Sequence, residues 1–312
     1  MTNNLRNKIR NSKLVDSLSE TTKKIVLPGF EKVPLFYVLK FFFQGIQKGA
    51  ITSRASSLSY SFFLAIFPSI IFLFTLIPYI PIDNFQLQLM NLLAELMPQS
   101  AFQATQSTLE EIITNENSGL LSFGFIAALY FSTNGFSAMI DAFNNTYHVI
   151  ETRSWFMQRT ISLFLVFITA ILIITAIGLI VFSEIGLKTI FENRNFSNFL
   201  IQTGRWIILF MLCFCMISFM YYLGPAKKAK WRFISAGSTL ATLLSILTSI
   251  GFTYFVNNFG QYNKIYGSIG TLIVIMIWIY LNSLTLLIGF ELNASIDNAK
   301  KGKHPELSTT QV

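Results

Sequence analysis

Apolar and polar residues follow one another along this chain in long blocks, not in short alternations. The clearest block runs from Ser53 to Pro81, SRASSLSYSFFLAIFPSIIFLFTLIPYIP, with one cation, Arg54, and then no charge before Asp83. A helix of that length reaches across the ~30 Å hydrocarbon core of a bilayer. Five more such blocks follow, so the pattern predicts spans at about 58–80, 119–140, 161–182, 206–223, 233–256 and 268–292. Residues 33–50 have a different period. Leu35, Leu39, Phe42, Phe43 and Ile46 fall at helical spacing, with Lys40, Gln44, Gln47 and Lys48 between them. That predicts an N-terminal amphipathic helix, either lying in the membrane interface or packed against the rim of the bundle. Residues 82–118 carry Asp83, Glu95, Glu110, Glu111 and Glu116 but no Lys or Arg. Their leucines and isoleucines predict two short helices broken near Pro98, an external helical hairpin between the first and second spans. The predicted fold class is all-α, an integral membrane bundle of six transmembrane helices. Residues 1–32 form a basic N-terminal segment, 33–297 the membrane domain and 298–312 a short tail.

Composition supports this and adds an orientation. The 312 residues are 53% hydrophobic and only 12% charged, against about 25% charged in ordinary soluble domains. Of the 23 Lys and Arg residues, 19 lie on one side of the predicted membrane. The positive-inside rule makes that side cytoplasmic and places both termini there. The net charge of +8 is thereby explained by topology and by attraction to anionic headgroups. Membrane lipids are the expected partners, and nucleic acid is not needed to account for the charge. No apolar core of signal-peptide length occurs in the first 30 residues, so the first span is expected to act as the insertion signal. Cys213 and Cys215 are two apart on one span and point to different faces.

Catalytic chemistry has little to stand on. Metal-assisted hydrolysis needs clustered carboxylates or histidines, and the two histidines, His148 and His304, belong to no such array. No G-x-S-x-G or phosphate-binding loop is present. No enzyme, metal site or cofactor is expected. Ionisable groups at membrane depth are costly and point to function. Arg54, Asp141 and Glu291 fall at the cytoplasmic ends of the first, second and sixth spans, with Arg153 nearby. They form a candidate inner-mouth cluster in which Arg54 pairs with Asp141 or Glu291; the plain alternative is a structural ion pair. Small and polar residues line other faces: Ser57, Tyr60 and Ser61 on the first span, Asn134 and Asn145 on and after the second, Thr242 and Ser245 on the fifth, Asn282 and Thr285 on the sixth. They either line a cavity, with Pro68 as a kink above it, or serve close helix packing.

Four segments in order carry a family resemblance: SRASSLSYSFFLAIFP, DAFNNTYHVIETRSWF, Gly224-Pro225 with the basic loop and Trp231, and IYGSIGTLIVIMIWIYLNSLTLLIGFELNASI. Together they resemble the YihY/BrkB family of bacterial inner-membrane proteins over about residues 35–297. The resemblance implies a six-helix integral membrane protein of the bacterial plasma membrane. Members have carried the label ribonuclease BN, a misattribution on the residues present here, and that of a virulence or serum-resistance factor. Some have been connected with envelope lipid export. The expected function is accordingly a transporter or flippase-like protein for an envelope lipid or amphiphile. The alternative is a non-transporting envelope scaffold that binds partners.

Overall fold

A computed structural model describes residues 25–79 apart from Pro28, Lys32 and Gly49, together with 115–146, 149–150, 153–190, 194–226, 233–258 and 268–302, and Met90, Gln106, Ser107, Glu110 and Glu111. Among these lie seven α-helices: α1 Leu35–Lys48, α2 Ile51–Leu76, α3 Ser118–Asn144, α4 Trp155–Ile190, α5 Arg194–Leu223, α6 Ala236–Asn258 and α7 Ser268–Gly302. A 3-10 turn, Ile77–Tyr79, continues α2, and a two-residue antiparallel ladder joins β1 Asn145–Thr146 to β2 Val149–Ile150. Six of the helices, α2 to α7, are long and apolar enough to cross a membrane. The fold is the all-α six-span bundle. The predicted hairpin at 82–118 and most of residues 1–32 lie outside the described residues.

Helix ends differ from the hydropathy boundaries. α2 begins at Ile51, so Arg54 stands inside its first turn and not before it. α7 continues to Gly302, which leaves Glu291 three turns from its end. Hydropathy marks where lipid begins, whereas a helix stops only where its backbone finds another partner.

The chain forms two compact units, Met1–Ser59 with Ser137–Val312, and Tyr60–Phe136. In the smaller unit α2 lies against α3 at two glycines three turns apart on one face. A Cβ at Gly124 would come within 3.2 Å of the Phe72 backbone, and one at Gly135 within 3.0 Å of the Phe62 ring. Aromatic rings fill in around them: Phe62 meets Phe136 edge to face at 5.7 Å, and Phe72 meets Phe125 at 5.4 Å. Pro68 lies within α2 and cannot donate to the Leu64 carbonyl. One residue on, the Ser69 hydroxyl bonds the Ala65 carbonyl at 2.7 Å.

In the larger unit α6 and α7 touch at the backbone. A Cβ at Gly289 would stand 2.6 Å from Ala241 Cβ, the Gly237 carbonyl oxygen and the Tyr221 hydroxyl alike. Without a hydrophobic drive between helices in lipid, such close approach is the principal source of adhesion. Three buried rings fasten α3, α5 and α7: Phe143 stacks on Phe290 at 4.1 Å, and Tyr221 meets both edge-on at 5.6 and 5.7 Å. The Tyr221 hydroxyl is satisfied by donating to the Leu286 carbonyl at 2.5 Å.

The amphipathic helix α1 takes the second of its two predicted placements and packs along α7. Phe30, Val33 and Val38 join Leu292, Ile296 and Ala299 in one apolar cluster. A turn through Gly29, at φ 86°, brings the chain back so that Leu35 N–H meets the Ile25 carbonyl at 2.9 Å. Lys300 and Glu31 close the contact with an ion pair at 2.5 Å. This cover buries Leu292, Ile296 and Ala299 of α7.

Candidate functional site

The charged centre of the larger unit is built from three helices. Arg54 occupies the first turn of α2, flanked by exposed Thr52 and Ser53, and its side chain turns inward beside buried Ala55 and Leu58. Its Nη1 donates to the Ala142 carbonyl at 2.7 Å. That carbonyl lies in the last turn of α3, where no intrahelical donor exists, so the arginine caps α3 as well as meeting its negative dipole end. Its Nη2 stands 3.6 Å from Glu291 Oε2. That is an ion pair without hydrogen-bond geometry. The Arg54 side chain is 12% exposed and that of Glu291 0%. On the far side of the carboxyl lies α1. A Cβ placed on Gly45 would overlap the Glu291 carboxyl group, so only glycine lets α1 seat there.

Of the four residues expected at the inner mouth, the structure thus joins Arg54 to Glu291 and takes the other two elsewhere. Asp141 is exposed on the last turn of α3 and accepts from Gln158 Nε2 of α4 at 2.7 Å. Arg153 lies in the loop before α4 and reaches the end of α5. It donates to the carbonyls of Leu223 at 3.2 Å and Gly224 at 3.3 Å, and to that of Pro225. Burial lowers its pKa from the ordinary arginine value. Asn144 completes this second cap by accepting the Ala226 N–H at 2.7 Å. Both arginines therefore hold helix C-termini, Arg54 that of α3 and Arg153 that of α5.

The polar stripes divide in the same way. Thr242 is fully buried and donates to the Ser238 carbonyl of its own helix at 2.8 Å. Ser245 lies 2.8 Å from Thr285 across α6 and α7. Since the Thr285 hydroxyl also lies 2.9 Å from the Asn282 carbonyl, Ser245 is the donor when Thr285 gives its proton there. Asn282 turns back on its own helix, to the Trp278 carbonyl at 2.9 Å. Ser245 and Thr285 thus link α6 to α7, whereas Thr242 and Asn282 bond within their own helices. Tyr60, Ser61, Pro68 and Asn134 belong to the smaller unit, Tyr60 exposed and the other three half-buried. Ser57 is exposed; Ala55, Leu58 and Ser59 are the buried residues at the start of α2. Asn145 is exposed in β1.

One polar group that sequence reasoning passed over is Asn293. Its Oδ1 accepts the Gly237 N–H at 2.8 Å and its Nδ2 donates to Ser235 Oγ at 2.9 Å. Ser235 in turn accepts the Ser238 N–H at 3.1 Å, an N-cap on α6 that Ser-x-x-Ser could have signalled. Among the described residues, no three of His, Cys, Asp and Glu come together in a group that could hold a metal ion.

Six membrane-crossing helices, two arginine-capped helix ends and an ion pair buried between the first and last spans define a multi-pass α-helical membrane protein. The chain belongs to the family described as Virulence factor BrkB, which matches residues 42–311. It is 35% identical over 252 residues, 80% of this chain and 91% of the relative, to the "Putative ribonuclease-like protein YfkH" of Bacillus subtilis. It is 24% identical over 266 residues to a "UPF0761 membrane protein" of Aggregatibacter aphrophilus, covering 84% of this chain and 92% of that one. A protein of the same description from Idiomarina loihiensis is 29% identical over 210 residues, 66% of this chain and 71% of the other. No solved structure matches the chain.

Proposed function

We propose that this chain sits in a bacterial plasma membrane with both termini cytoplasmic and moves an envelope lipid or amphiphile as a transporter or flippase-like protein. The observation that carries the reading is the buried pair of Arg54 and Glu291. An apolar pair of the same volume is often the more stable choice in an interior, and charges at membrane depth belong as a rule to a moving or conducting part. The family resemblance to proteins connected with lipid export adds support. The ribonuclease-like name of the B. subtilis relative does not transfer well, because His148 and His304 stand in no catalytic array. We read the chain as a non-enzyme that needs no cofactor and no nucleic acid.

A second reading, an envelope scaffold, draws on the close seam of α6 and α7, since a filled interface suits a static bundle. Reconstitution separates the two. The purified protein in liposomes of bacterial lipid should speed transfer of headgroup-labelled lipids between leaflets, and R54Q/E291Q should slow it. Transfer no faster than in protein-free liposomes, across lipids of several headgroup classes, sinks the transport reading. A reporter fused after residue 100 should lie on the opposite face from both termini; a cytoplasmic reporter would overturn the orientation.

A further inference from the structure

We infer that Glu291 is a proton-binding site, with Arg54 as the countercharge released when the proton is taken up. The inference deepens the transport reading by naming the ion that would be coupled, and it rests on that reading only for its use.

Space decides the class of ligand. The Glu291 carboxyl is so closely covered that even a methyl group on Gly45 would overlap it. A metal cation needs several oxygen ligands around it, and the Gly45 side offers no room for them. A proton requires none. Charge decides the effect of binding one. Among the described residues, Arg54 from α2 and the backbone at Gly45 from α1 face the carboxyl. Among the described side chains, the other charged groups on neighbouring elements are engaged or turned away: Lys40 of α1 is exposed, and Asp141 of α3 is exposed and held by Gln158. Tyr221 of α5 is bound to Leu286, and Lys300 of α7 to Glu31. Asp297 of α7 is half-buried six residues beyond Glu291, on another face. Over Ala236–Asn258, α6 contains no Asp, Glu, Lys, Arg or His.

Uptake of one proton by the carboxylate removes the negative charge that Arg54 meets at 3.6 Å. The guanidinium keeps its proton and becomes an uncompensated buried cation, which is strongly unfavourable. It has an exit. Arg54 lies in the first turn of α2, where Thr52 and Ser53 are exposed, and a long side chain there can extend to the headgroups. Its withdrawal gives up the Ala142 carbonyl and uncaps α3. Protonation is thereby tied to a rearrangement of three helices.

The test is infrared difference spectroscopy of the full chain reconstituted in membranes and stepped through pH. A protonated-carboxyl carbonyl band belonging to this one buried group should appear in the wild type on acidification. It should vanish in E291Q. Because E291Q alone can strand Arg54 and misfold, R54Q/E291Q, which removes both charges, must lose the same band. A band that persists in either variant, or a wild type with no such band, overturns the inference. Leaflet transfer is measured on the same membranes. A band that depends on Glu291 without any lipid movement supports the site and removes the transport reading; transfer without the band does the reverse.

Discussion

Gly289→Ala measures how close α6 and α7 lie. The added Cβ would meet Ala241 Cβ, the Gly237 carbonyl oxygen and the Tyr221 hydroxyl, each at 2.6 Å. Carbon contacts settle at ~3.5–4.0 Å, so the seam would have to part by about 1 Å. Overpacking of this kind costs about 1–3 kcal/mol. Parting also strains the bonds from Tyr221 to Leu286 and from Gly237 to Asn293, at ~1 kcal/mol each if lost. Against these, alanine recovers ~1 kcal/mol of helix propensity over glycine. The expected net destabilisation is about 2–4 kcal/mol if both bonds are lost and about 0–2 kcal/mol if both survive. Gly178, Gly204 and Gly251 supply the internal control, since a Cβ on any of them meets nothing within 4 Å; alanine there should be neutral or gain up to ~1 kcal/mol. Reversible unfolding in mixed micelles with a rising fraction of denaturing detergent reads the difference. If G289A proves as stable as G204A, the two backbones are not in contact and the reasoning fails. G237A should cost a similar amount, and G237A/G289A little more than either alone, because the seam has already parted.

The two arginines yield three further expected outcomes. Removing one partner of the buried pair, in R54L or E291L, should destabilise by about 3–5 kcal/mol, whereas R54L/E291L should recover much of that loss; additive losses in a double-mutant cycle would deny the pairing. D141N should change stability by less than ~0.5 kcal/mol and show no coupling to R54L, because Asp141 is exposed and bound to Gln158; coupling above ~0.5 kcal/mol would return Asp141 to the site. R153M should cost about 1.5–3 kcal/mol through lost charge-assisted bonds to the end of α5, and R153K should restore only part, since an ammonium lacks the planar fork that reaches several carbonyls. Full rescue by lysine in the same unfolding assay would show that charge alone suffices.

The six spans were legible because lipid imposes a length of about 20 apolar residues that nothing else in a chain needs. Their ends were not. Hydropathy is silent once a helix leaves lipid, so residues 298–302 read as tail although they continue α7, and Ala299 among them is buried with Phe30, Val33 and Val38. Glu291 was visible as an ionisable group in an apolar run, but its partner was not. Period shows which face a residue takes and says nothing about which helix lies opposite, so Asp141 and Glu291 stood equal. Arg153 was drawn to the wrong company for a related reason: its acceptors are backbone carbonyls some 70 residues away, and carbonyls leave no mark in a sequence. Gly45 was the overlooked signal for α1. A helix lying free in the interface gains nothing from a glycine among phenylalanines, whereas a helix seated on a carboxyl group requires one.

The clasp between Glu31 and Lys300 joins residues 269 positions apart, and so bears on how the protein is made. Insertion proceeds from the N-terminus, so α1 and the first turn of α2 must wait through the synthesis of four further spans before α7 arrives. Throughout that interval Val33 and Val38 have no apolar cover from α7 and Arg54 has no Glu291. A chain halted before its last span therefore carries a cation near the membrane without its countercharge, which complete copies neutralise. Quality control that senses charge in the bilayer could distinguish finished from unfinished copies by that difference alone, without reading any other part of the molecule.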